Sequence, residues 1–364
     1  MKRIAVAAVL LASLTGCETR GSDAEAGASP GAWRVDSVPA VDIPGSSPAG
    51  TSLYTAATAA TRLSSGTIVV ADPLDATLRV FDASGRPLRS IGRRGGGPEE
   101  FGAVTWLAQC GRDSIFVRDY AHGRISVLDS AGRFVRQYPD ARDALTLACS
   151  RAGLVASLAT PQVSGPPSAR GETYHVPLTL ANTRGDSLAG VAAVKAGENR
   201  PLGRMTRLAV SGDRVFVGTA DSGVVDLYAS DGRRIGGLPV GGERRQPTRR
   251  HYEQAIELQV AALPDRASQE AAKRMLLGIP MPEYLPHYTG LFTDPAGTLW
   301  VQLSAPGDGA TWLRAVGPAG AVLADVHLPV ELTVFEVGDD YILGRYDDGS
   351  GEQHVALYRL HRGK

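Results

Sequence analysis

The chain has 364 residues, of which 38 are Lys or Arg and 38 are Asp or Glu, so its formal net charge at pH 7 is zero. That balance removes any general electrostatic case for nucleic acid or anionic lipid, while an apolar fraction of 43% is enough to bury a sizeable core. Only Lys2, Lys195, Lys273 and Lys364 are lysines, so the abundance of arginine reads as composition rather than as a binding signal.

At the N-terminus, Lys2 and Arg3 precede the apolar run "IAVAAVLLASL", which is too short to cross a bilayer as a helix and has the layout of an export signal. The run leads into "LTGC", where Leu14, Thr15 and Gly16 before Cys17 resemble the lipobox of bacterial lipoproteins. The resemblance implies that residues 1–16 are a signal peptide, that Cys17 is acylated, and that the protein is exported and held in the cell envelope by that lipid. Residues 17–32 are small and polar without periodicity, and read as the lipidated cysteine with a flexible tether.

From residue 33 to residue 364 the chain repeats. Short β-branched and aromatic runs follow a Gly or Asp turn around Val69, Phe116, Val155, Phe216, Trp300 and Ile342. Most continue into a second strand and a hairpin signal such as "FDASGRPLRSIG", with hairpin glycines at Gly85, Gly132, Gly185, Gly232 and Gly320. A period of roughly 50 residues, with four short strands per unit, marks propeller blades. The sixth unit stops after its third strand, "HVALYRL", whereas "AWRVDSVPAVDI" precedes the first complete unit and belongs to none. Pairing these two segments closes the ring and removes two open edges. The predicted fold is therefore all-β, a six-bladed β-propeller closed by an N-terminal strand.

Between the first two units lies "GRRGGGPEEFG". A phosphate-binding P-loop needs Lys and a hydroxyl after its glycines, but here Pro98, Glu99 and Glu100 follow, and Glu100 also occupies the third glycine position of a dinucleotide fingerprint. The glycines thus read as a connector between the outer strand of one blade and the inner strand of the next, with Phe101 filling the gap between blades. This Phe-ended connector and the D-x-x-G-x-L-W-V run from Asp294 to Val301 resemble the six-bladed propellers that include the NHL-repeat proteins. The resemblance covers about residues 33 to 361 and implies architecture, not activity.

One connector is longer. Tyr252, Ile256, Val260 and Leu263 stand at helical spacing after Thr248, a candidate N-cap, and a second helical segment runs from Asp265 to Gly278. These predict a helical insertion at about residues 247–278, between the fourth and fifth blades, serving either as a lid or as a cover on the propeller face.

No residue pattern points to catalysis or to a metal. The seven histidines have no ligand spacing, and no G-x-S-x-G elbow is present. Asp72, Asp119 and Asp294 read as turn residues. If connectors converge at one mouth of the ring, Arg93, Arg94, Arg244, Arg245, Arg249, Tyr284, His287 and Tyr288 would form a rim for an anionic or sugar-like ligand. Cys110 and Cys149 each stand five residues before the core strand of adjacent units, which makes them a candidate disulfide in an oxidising compartment. The expected function is a monomeric, lipid-anchored binding scaffold for a protein or small-molecule ligand, without a cofactor. The alternative is a metal-dependent hydrolase or lactonase, with calcium on side chains from several blades in the central tunnel.

Overall fold

A computed structural model of the chain describes residues 33–363 apart from 48, 112, 141–143, 160–172, 199, 262, 264 and 305–309. The expected signal peptide, Cys17 and the tether lie outside the described residues.

The strands form six antiparallel sheets, and the chain is a six-bladed β-propeller. The innermost strands, in blade order, are Ala59–Arg62, Val104–Cys110, Ala144–Cys149, Arg207–Ser211, Tyr288–Thr293 and Thr333–Val337. Each touches the next, and the sixth touches the first, so they wall a central tunnel. The second strand of a blade is sandwiched between neighbouring blades, and Ile68–Asp72 is accordingly buried at every position. The outer strand Phe134–Pro139 instead alternates between half-buried and exposed residues, as a strand with one wet face must.

Ring closure uses the N-terminal segment. Arg34–Val35 pairs with the end of Gln353–His361 and Val41–Pro44 with its start, so both N-terminal pieces lie along the C-terminal strand. Trp33 packs on Trp300 with ring centroids 5.7 Å apart. Arg362 lies over both rings and pairs with the buried Asp294 at 2.7 Å.

Polar or covalent ties cross the seams. Arg124 of blade 2 donates to Gly97 O at 2.8 Å and Glu100 O at 2.6 Å in the connector from blade 1. Cys110 and Cys149 are joined in a disulfide between blades 2 and 3, with Cα atoms 5.7 Å apart. Ser150 Oγ donates to Gly212 O at 2.9 Å between blades 3 and 4, and Thr293 Oγ1 to Val210 O at 2.7 Å between blades 4 and 5. Gln302 Nε2 donates to Leu332 O at 3.3 Å at the approach to blade 6, and Thr61 Oγ1 to Glu336 at 2.5 Å between blades 1 and 6.

Two helices, α1 (Arg249–Ala261) and α2 (Arg266–Leu277), occupy the connector from blade 4 to blade 5. The Thr248 hydroxyl accepts from His251 N at the start of α1, and Asp265 accepts from Ser268 N at the start of α2. Tyr252, Ile256 and Val260 of α1 share a small core with Leu276 of α2 and Ile279, and Leu202 of the preceding connector packs against it.

Candidate functional site

The tunnel has two faces. Connectors between blades reach the innermost strands at one, here the connector face; the innermost strands turn back into second strands at the other, the turn face.

The Gly-rich connector is occupied by its own side chains. Gly92 has φ of 81°, and a Cβ there would lie 2.4 Å from the Phe101 ring, so only glycine fits. Phe101 is fully buried in the core shared by blades 1 and 2. The Gly97 N–H, the donor that an anion would need, already binds Glu100 Oε2 at 2.8 Å, and Arg93 Nε holds the other Glu100 oxygen at 2.8 Å. These contacts hold the Glu100 carboxyl below the usual carboxylate range.

None of the connector residues Arg93, Arg94, Arg244, Arg245, Arg249, Tyr284, His287 and Tyr288 lines the tunnel cavity. Arg93 pairs with Glu100, while Arg94 donates to Leu74 O at 2.6 Å and Gly102 O at 3.3 Å. In the connector from blade 4, three blades round the ring, Arg244 lies 4.9 Å over the Tyr284 ring, Arg245 pairs with Glu243 at 3.2 Å and Arg249 with Glu253 at 2.8 Å. His287 Nδ1 is 3.2 Å from Gly242 O. Tyr288 belongs to the core between blades 4 and 5, where its hydroxyl accepts from Ala220 N at 3.1 Å and burial pushes its pKa up.

Asp72 and Asp119 do more than form local turns. Each ends a second strand, is fully buried, and accepts backbone N–H groups from the connector feeding its own blade. The donors are Thr55 and Ala56 for Asp72, and Gly102 and Ala103 for Asp119. Burial alone would push Asp119 up, but these amides and His122, 2.6 Å away, bring it below the ordinary range. Asp294 does sit in a turn, accepting from Thr298 N at 2.9 Å, and it also accepts from Trp300 Nε1 at 2.9 Å.

The tunnel holds a cavity of about 600 Å³ lined by all six innermost strands. Its ionisable lining residues are Arg151, Arg207, Asp294 and Glu336. Both carboxylates are engaged: Asp294 as above, and Glu336 by Thr61 Oγ1, Arg62 N and the Tyr341 hydroxyl. The side chains of Arg151 and Arg207 make no hydrogen bond or ion pair among the described residues. Arg207 Nε is buried without a partner, and burial pulls the guanidinium below its ordinary pKa.

Sequence reasoning named Asp294 only as a turn residue and did not name Arg151, Arg207 or Glu336, because each comes from a different blade. The signal that could have found them is the repeat register. Trp106 pairs with Arg118 and Arg207 with Gly218, in each case two residues beyond the apolar ring of the second strand, Phe116 or Phe216. Gly290 pairs with Gln302, two beyond Trp300, and stands at the same level.

A hard-cation site in this tunnel does not fit the described side chains. Calcium takes six to eight oxygens, but the two lining carboxylates are bound to internal donors, Gln109 Nε2 is tied to Asp113 at 2.7 Å, and a guanidinium stands free in the same wall. Outside the tunnel, Asp348, Glu352 and His354 come within reach of one another on a surface hairpin, where Asp348 caps its own turn through Ser350 and Glu352. No lining residue of the tunnel comes from α1 or α2.

The chain matches no protein-family profile, and no curated protein matches its sequence. Among solved structures it resembles a putative exported protein from Bacteroides fragilis, with a TM-score of 0.55, 13% identity, and coverage of 91% of this chain and 96% of that one. It also resembles a member of the DUF4221 family from Bacteroides vulgatus, with a TM-score of 0.54, 10% identity, and coverage of 92% and 100%. At these identities the likeness is one of fold, and the fold is the six-bladed β-propeller.

Proposed function

We propose that the protein is a lipid-anchored cell-envelope β-propeller that binds a small ligand in its central tunnel, acting as a binding scaffold rather than as a metal-dependent hydrolase. The observation that carries this reading is the tunnel itself. It has the volume of a small-molecule site, it is walled by every blade, and its spare polar capacity is cationic. The seam ties favour a rigid scaffold. The export signal and the lipobox-like "LTGC" support the location, and the exported Bacteroides fragilis neighbour agrees with it.

Metal analysis with thermal unfolding in calcium and in chelator tests the choice between scaffold and hydrolase. The expected result is no stoichiometric metal and the same melting temperature in both buffers; a stoichiometric metal with a calcium-dependent rise would overturn the scaffold reading. Fractionation tests the anchor: Cys17→Ser moves the protein out of the membrane fraction, because the neutral domain offers a membrane no other hold. Continued membrane retention of that variant would argue for attachment through another protein.

A further inference from the structure

Arg207 opens the innermost strand of blade 4, at the connector face of the tunnel. Successive residues of a strand point to opposite sides, so Arg207 shares a side with Ala209, which packs in the seam toward blade 5. A guanidinium whose Nε is shut away from both solvent and protein acceptors is costly to keep there for structure alone. Arg79 and Arg124 also bury an Nε without a hydrogen-bond partner, but their terminal nitrogens are matched, Arg79 by Ser90 and Asp75 and Arg124 by Asp119 and three connector carbonyls, whereas no nitrogen of the Arg207 side chain has a partner among the described residues.

Around Arg207 the same level of the tunnel is aromatic. Trp106 occupies the equivalent register position in blade 2. Phe292 lies back over Gly290, where a Cβ would come within 2.8 Å of its ring. Phe335 is the extra residue of a bulge between Val334 and Glu336, a device that re-aims a side chain at a rim. Three half-buried rings, each packed against a different seam core, and one cation without a side-chain partner among the described residues line a common wall, which suits a flat apolar body with a single negative charge. Arg151 follows the end of the blade 3 innermost strand at the turn face, roughly 15 Å away along a strand of five residues, so it adds no second charge at this level.

We infer that the connector-face end of the tunnel takes a carboxylate-bearing ligand with a flat apolar body, its carboxylate on Arg207 and its body against Trp106, Phe292 and Phe335. This rests on the reading of the tunnel as a ligand site and names what the site takes. A planar guanidinium binds a carboxylate through two parallel hydrogen bonds, which fixes the direction of the body as well as its charge.

The test uses the purified full chain with cinnamate, its neutral amide cinnamamide, and inorganic phosphate, followed by calorimetry and tryptophan emission. Saturable binding of cinnamate is expected, at least tenfold tighter than the amide. Arg207→Gln should lose that preference at an unchanged melting temperature, Arg207→Lys should keep part of it, and Trp106→Phe should reduce the change in emission. Equal binding of acid and amide, untouched by Arg207→Gln, would overturn the anion while leaving tunnel binding in place. Phosphate competing as well as cinnamate would overturn the apolar body, and absence of saturable binding of all three would overturn the inference whole. Should Arg207→Gln fail to fold, Arg207→Leu, read for the same loss of acid-over-amide preference, takes its place.

Discussion

The seams and the tunnel wall are made from the same innermost strands, yet they treat polar groups in opposite ways. In the seams, polar groups close on one another across blades, as Arg124 does with Gly97 and Glu100. On the tunnel wall, the Arg207 side chain has no partner among the described residues, and its Nε is buried. The difference separates what the molecule uses to hold its ring from what it leaves available, and it does so without reference to any relative.

The comparison can be broken most forcefully at Phe101. Phe101→Ala empties a fully buried site between blades 1 and 2 and should cost about 3–5 kcal/mol in denaturant unfolding; a loss below 1 kcal/mol would mean the seam is not packed as described. The disulfide comes next. Replacing Cys110 and Cys149 with Ser releases a constraint spanning 39 residues, and in the chain-entropy model should cost at most about 4 kcal/mol. Mass spectrometry of the unreduced, exported protein should find neither thiol open to alkylation. Gly92→Ala forces a Cβ against Phe101 at a left-handed backbone position and should cost about 1–3 kcal/mol by the same unfolding assay.

Acid offers a subtler probe of the seams. Asp119 is held below its ordinary pKa in the folded chain, and so are Asp129 and Asp348. A depressed carboxylate contributes stability above its unfolded value of about 4 and loses it as pH falls through the folded value. Stability should therefore be level from neutral pH down to about 5 and decline below about 4, and Asp119→Asn should make that decline shallower while lowering stability at pH 7. The smallest effect belongs to the tunnel wall: Arg207→Leu should leave stability unchanged or raise it by up to about 1 kcal/mol. A loss of several kcal/mol there would show that Arg207 belongs to the scaffold after all.

The architecture was legible because repetition multiplies a weak signal. One run around Phe116 is ambiguous, but six such runs at a common period, with an incomplete last unit and an orphan first strand, leave one arrangement. The same alignment put Cys110 and Cys149 at matching places, and the structure joins them. The tunnel wall was illegible because each wall residue is contributed singly by a different blade, so that Trp106, Arg207, Phe292 and Phe335 share no local spacing. The connector arginines were prominent in sequence, but loops supply counter-charges that sequence order does not reveal, as Glu100 does for Arg93 and Glu253 for Arg249.

The clasp of Trp33, Trp300, Arg362 and Asp294 also fixes a direction. Arg34 pairs with His361 at the end of the C-terminal strand, and Asp294 lies in the turn after the innermost strand of blade 5, so the clasp sits on the turn face. Whatever precedes Trp33 leaves from that side. Were the chain held at Cys17, the attachment would join the ring on the turn face, opposite the mouth at which Arg207 stands.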